Sequence, residues 1–143
     1  MKLTTKGNYA IASLLDLAVH SNGGHINLHE IAERLALSEN YLRQLFMELR
    51  KKGIVDSVRG VGGGYYLAQE PSFIKILDVI EAVEGDIYVV PCLDDECDEG
   101  CYRETICGVK PLWAVLNESV REKLSSLTLQ ELIDEYYMEE GAD

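Results

Sequence analysis

The chain has 143 residues, 47% hydrophobic and 27% charged, which excludes a disordered protein and suits one ordinary domain or a small domain with a helical arm. No apolar run is long enough to span a membrane, and the start MKLTTKGNYA lacks the apolar core and cleavage site of a signal peptide, so a cytoplasmic protein is expected. A net charge of −12 argues against nucleic acid until its distribution is read: residues 1–70 carry eight Lys or Arg against seven Asp or Glu, and residues 71–143 carry five against eighteen. Any polyanion partner is therefore expected to meet the first half.

From Asn8 to His20, the residues Tyr9, Ile11, Ala12, Leu14, Leu15, Leu17, Ala18 and Val19 predict a mostly buried helix, ended by Ser21-Asn22-Gly23-Gly24. A second helix opens at Asn27, an N-cap type with Glu30 three residues on, and turns Leu28, Ile31, Ala32 and Leu35 inward. The third starts at Ser38 and runs to Lys52 with Leu42, Leu45, Phe46 and Leu49 inward, until Gly53 stops it after the cationic turn Arg50-Lys51-Lys52. Then the period changes. Residues 54–58 and 65–68 read as two short strands joined by the glycine-rich loop Arg59-Gly60-Val61-Gly62-Gly63-Gly64. Three helices followed by a two-stranded ribbon, with a short turn at Leu37-Ser38, is the order of a winged helix-turn-helix.

Pro71-Ser72 is expected to open a further helix with Ile74, Leu77, Ile80 and Val83 at helical spacing, closed by Gly85. An irregular loop follows, and within it Cys92 to Cys107 gathers all four cysteines among six carboxylates. The spacing C-x4-C-x3-C-x5-C lacks the paired short knuckles of structural zinc sites, and a cytosolic setting disfavours disulfides. No histidine lies nearby; His20, His25 and His29 read as surface residues of a helix end and turn. Pro111 suits a helix's first turn, and Trp113, Leu116, Val120, Leu124 and Leu127 continue from it as an apolar seam. A last short helix capped at Thr128 precedes an acidic tail, and no internal repeat is visible.

The third helix divides into an anchoring face and a polar face, as a recognition helix must. Asn40, Arg43, Gln44 and Tyr41 lie near its N-terminal end, where such helices reach base edges; Arg43 suits guanine and Gln44 adenine. The helix start at Ser38 can receive a phosphate. Arg59 at the edge of a small-residue wing suits a narrow minor groove, with Gly60 allowing close approach. Lys2, Thr4, Lys6 and Arg50 add contacts along the backbone. VRGVGGGYY lacks the GxxxxGK[ST] pattern of a nucleotide loop and leads into a strand, and no Ser/His/Asp set or paired catalytic carboxylates appear, so no enzyme is expected. A handful of phosphate contacts is thin for so acidic a chain, which favours two subunits on one duplex.

MKLTTKGNYA, LSENYLRQLFMELRKKGIVDSVRGVGGGYYLA and CGVKPLW…LTLQELI together resemble the iron–sulfur cluster regulator (IscR) family of transcription factors, across essentially the whole chain. The resemblance implies a mainly α fold with a small β-wing: a winged helix-turn-helix at residues 1–70, then a helical dimerisation region at 71–143 with a cysteine-rich cluster-binding loop at 88–110. It implies a homodimer on a long C-terminal helix, here the Trp113–Leu127 seam, bound to a double-stranded operator without membrane contact. It also implies an iron–sulfur cluster, 2Fe–2S in the first place. Cys92, Cys101 and Cys107 match the family's cysteines, while Cys97 is extra, either a fourth ligand or a spare thiol. Lys110 stands where cluster regulators place a histidine, and Asn8 where nitric-oxide-sensing relatives supply an acidic residue from the partner; Glu96, Asp98, Glu99 and Glu104 are local oxygen alternatives. The function implied is cluster-sensing, sequence-specific transcription regulation of iron–sulfur assembly or related stress genes. A metal-free thiol-sensing repressor of the same fold and an iron–sulfur electron-transfer or scaffold protein are the alternatives.

Overall fold

A computed structural model describes residues 5–90, 93 and 108–141. The elements run α1 (Thr5–His20), α2 (Leu28–Leu35), α3 (Glu39–Lys51), β1 (Val55–Val58), β2 (Gly64–Leu67), a 3-10 turn (Pro71–Phe73), α4 (Ile76–Glu84), α5 (Lys110–Ser126) and α6 (Leu129–Gly141). Helices around one small antiparallel hairpin match the fold class expected.

Helix α1 is the hub. Ala10, Leu14 and Leu17 are fully buried on it, and α1 packs against α2, α3, α4, α6 and β2. Two buried polar groups on α1 are satisfied, as burial demands. The Ser13 hydroxyl donates to the Ala10 carbonyl at 3.0 Å. Asp16 accepts two-pronged hydrogen bonds from Arg34 of α2, Nε at 2.9 Å and Nη2 at 2.7 Å. The hydrogen bond to Asp16 raises the Arg34 pKa further above its ordinary high value. One continuous core joins Phe46, Leu49 and Val55 to Ile74, Val79, Leu129 and Ile133, so it runs through both halves of the chain.

Local chemistry explains the helix starts. Asn27 caps α2 by accepting from the Glu30 N–H at 3.0 Å. Thr128 and Glu131 form a full capping box at α6: the Thr128 hydroxyl accepts from the Glu131 N–H at 3.4 Å, and the Glu131 carboxylate accepts from the Thr128 N–H at 3.3 Å. The hairpin pairs Val55 with Leu67 through Val58 with Gly64.

Three expectations need correction. Residues 71–75 do not begin α4. Pro71–Phe73 form a 3-10 turn, after which the backbone extends, because the Leu129 N–H bonds to the Ile74 carbonyl and the Ile76 N–H to the Leu127 carbonyl, each at 2.9 Å. That pairing occupies backbone groups an earlier helix start would have used. Helix α6 is not short: it continues through the acidic tail to Gly141, supported by Gln130–Asp134 and Tyr136–Glu140 hydrogen bonds one turn apart. Leu127 lies past the end of α5 with extended backbone (φ −88°, ψ 136°), so the expected seam loses its last member from the helix.

Arg34→Ala would leave the buried Asp16 carboxylate without its two-pronged partner. A loss of about 3 kcal/mol in unfolding free energy is expected from urea denaturation, with Arg34→Lys losing less.

Candidate nucleic-acid interface

The turn between α2 and α3 is made by Ala36, held in the left-handed region (φ +54°), and by Leu37, whose N–H returns to the Ala32 carbonyl at 2.9 Å. Ser38 then caps α3: its Oγ accepts from the Tyr41 N–H at 3.3 Å, leaving the hydroxyl proton free to donate outward. Leu42, Leu45, Phe46 and Leu49 are buried beneath α3, while Asn40, Arg43 and Gln44 are exposed. Tyr41 is half-buried with its ring edge-on to Tyr9 of α1, centroids 6.1 Å apart. It braces the helix start.

The cations of α3 have intramolecular partners. Arg43 Nη2 lies 3.2 Å from Glu39, and Arg50 Nε lies 3.3 Å from Asp56 of β1. The second Glu39 oxygen sits 3.4 Å from His29 Nδ1, and His29 Nε2 sits 3.3 Å from Glu33. These exposed pairs hold little free energy, and a phosphate or base can replace each acidic partner at small cost.

The hairpin wing stands beside α3. Its tip, Val58 to Gly62, is exposed, and Arg59 makes no ion pair among the described residues. Gly60 (φ +98°) and Gly62 (φ +80°) take left-handed backbone. Gly64 is required by close approach, because a side chain there would meet the Ile26 carbonyl oxygen at 2.4 Å. Ile26 pairs with Tyr65 through two backbone hydrogen bonds, at 2.8 and 3.0 Å, adding a one-residue third strand to the hairpin. Tyr65 in turn packs edge-on against Phe46 of α3, centroids 5.1 Å apart. His25 Nε2 lies 2.6 Å from the Gly62 carbonyl. The reading from sequence missed these ties of His25 and Ile26, which join residues 37 and 39 positions apart, and no local pattern announces them.

Lys2 and Thr4 lie outside the described residues, as do Cys92, Cys97, Cys101 and Cys107. The segments bordering the cysteine stretch are described. Glu84, ending α4, accepts from the Gly7 N–H of α1 at 2.9 Å, and Asn8 beside it is exposed. The Val89 N–H donates to Asn117 Oδ1 of α5 at 2.7 Å, and Arg121 of α5 meets Glu81 of α4 at 2.7 Å. On α5, Trp113, Val120 and Leu124 are half-buried and Leu116 is 40% exposed. Leu112 and Val115, outside the expected seam, are 61% and 67% exposed and extend an apolar strip with Leu116. Among the described residues, no three His, Cys, Asp or Glu side chains are grouped to hold a metal.

A two-helix unit with an exposed polar second helix, flanked by a glycine-rich wing whose arginine makes no ion pair among the described residues, defines a winged helix-turn-helix DNA-binding regulator. The sequence matches the Rrf2 family, described as iron-dependent transcriptional regulators, over residues 3–135, and the chain belongs to that family. It is 42% identical to the HTH-type transcriptional regulator IscR of Yersinia pestis over all of this chain and 85% of that protein. Among solved structures, IscR of T. potens superposes with a TM-score of 0.75 at 38% identity, covering 95% of this chain and 88% of the other. CymR, the global cysteine regulator of B. subtilis, superposes with a TM-score of 0.74 at 40% identity, covering 94% and 97%.

Ala36 carries a Cβ in a conformation that disfavours one. Ala36→Gly is expected to stabilise the domain by about 0.5–1 kcal/mol, seen as a higher urea midpoint with unchanged slope.

Proposed function

We propose that this chain is a homodimeric, cytoplasmic transcription regulator that reads double-stranded DNA and responds to an iron–sulfur cluster, 2Fe–2S in kind, in controlling iron–sulfur assembly or related stress genes. The observation that carries the DNA half is the exposed Asn40–Arg43–Gln44 face of α3 beside an exposed Arg59 on a glycine wing. In this reading residues 1–70 contact DNA. Asn40, Arg43 and Gln44 address base edges, Ser38 and Arg50 meet phosphates with Lys2 and Thr4, Tyr41 lies at the helix start beside them, and Arg59 with Gly60 enters the minor groove. Residues 71–143 dimerise through the exposed apolar strip of α5, which places two α3 helices on one face of the duplex about one helical turn apart.

The donor set of residues 92–107 suits a cluster: four thiols within sixteen residues, on a chain whose regulator relatives include IscR. Cys92, Cys101 and Cys107 would hold it, with Cys97 as the fourth ligand. Bound there, a cluster would supply redox and assembly-state sensitivity. The protein's part is to transmit the state of the loop: Val89 hangs on Asn117 of α5, and Glu84 at the end of α4 hangs on Gly7 of α1. A change in residues 88–110 is therefore conveyed to both the dimer helix and the hub of the DNA-reading half.

A second reading, a metal-free thiol-sensing repressor, is favoured by the 40% identity to CymR, named a cysteine regulator. Anaerobic reconstitution with iron and sulfide separates the two. A coloured protein with stoichiometric iron and sulfide is expected; colourless, iron-free protein would overturn the cluster reading. Gel shifts with holo and apo protein are expected to differ in affinity or site preference, and identical behaviour would sink the switch. Arg43→Ala is expected to lose about 1–3 kcal/mol of specific binding and to relax discrimination at one base position.

A further inference from the structure

We infer that His25 is a positioning residue for the wing: its Nε2–H, donated to the Gly62 carbonyl, holds the loop that presents Arg59 to the duplex. The inference rests on the reading of the wing as a minor-groove arm.

The wing tip is poorly suited to holding a shape alone. Four of the six residues from Arg59 to Gly64 are glycines, which lose the most conformational freedom on ordering. Inside the loop one backbone hydrogen bond is made, from the Gly63 N–H to the Gly60 carbonyl at 3.0 Å. The strand ladder closes at Val58–Gly64 and Ile26 pairs with Tyr65 beside it, but both stop short of Gly62. At the tip, His25 reaches across from the α1–α2 turn with its Nε2 at 2.6 Å from the Gly62 oxygen.

The direction of that bond follows from chemistry. A carbonyl oxygen only accepts, so Nε2 carries the proton. The neutral Nε2–H tautomer and the imidazolium both donate from this nitrogen. His25 is anchored in turn by sequence: its neighbour Ile26 is buried and backbone-paired to Tyr65, so the imidazole is mounted on a fixed post. The post and the wing belong to one backbone-paired unit, and that unit is packed on α3 through Tyr65 and Phe46. A free wing would have to be ordered on binding; a tethered wing meets the groove already shaped.

The test uses the full-length dimer and a duplex that the wild-type protein selects from a random pool. His25→Ala is expected to weaken binding about three- to tenfold, the effect of one net hydrogen bond. The slope of log K against log salt is expected to stay unchanged, because no phosphate contact is lost. His25→Gln, which keeps a donor at a similar reach, is expected to recover most of the affinity. In an Arg59→Ala background, His25→Ala is expected to add little, because the group it positions is gone. Amide exchange at residues 60–64 without DNA is expected to quicken in His25→Ala. Wild-type affinity in His25→Ala, full additivity with Arg59→Ala, a salt slope reduced by about one phosphate, or unchanged exchange would each overturn the inference. Should Arg59→Ala bind as wild type, the minor-groove reading falls and the inference with it. Should Arg59→Ala weaken binding while His25→Ala does not, the inference alone falls.

Discussion

The burial of α1 on several sides is the constraint on which the other elements depend. A helix covered by α2, α3, α4, α6 and β2 can place polar residues inward only if each finds a partner. Ser13 turns back on its own helix, and Asp16 takes the Arg34 fork. That fork decides how α2 lies on α1, and α2 decides where Ala36 and Leu37 turn the chain into α3. The same helix receives Tyr41 through Tyr9 and holds Glu84 through the Gly7 N–H. The reading helix and the border of the cysteine stretch are thus referred to one rigid body.

The electrostatics of the reading face are economical. The first half of the chain is nearly neutral, and the cations of α3 already lie against acids in the free protein. On the proposed reading, attraction to DNA comes from a few contacts in a fixed arrangement rather than from a broad positive surface. Such an interface depends on geometry more than on charge number, and a wing tied to both α2's approach and α3 fits that requirement.

Elements governed by local chemistry were legible in the sequence. The caps at Asn27, Ser38 and Thr128, the glycine stop at Gly53 and the inward faces of α2 and α3 follow from side chains within one or two turns. The exposed Asn40–Arg43–Gln44 face was legible for the same reason, as the complement of a buried stripe. Contacts set by partners remote in sequence were not. Nothing around Pro71 announces that Ile74 and Ile76 will pair with residues 127 and 129, and nothing around His25 announces Gly62. The acidic stretch after Ile133 looks like a tail in sequence, but the capping box and one-turn hydrogen bonds of α6 carry the helix onward. On α5, the packing against α4 leaves Leu112 and Val115 outside, which the spacing of Trp113 and Leu116 does not announce.

The pairing of residues 74–76 with 127–129 has a mechanical consequence. It acts as a buckle: everything between, including α4, the cysteine stretch and α5, is a closed strap whose ends cannot move apart. Within that strap Arg121 of α5 meets Glu81 of α4 at 2.7 Å, so the two helices are fastened to each other along their length as well as at their outer ends.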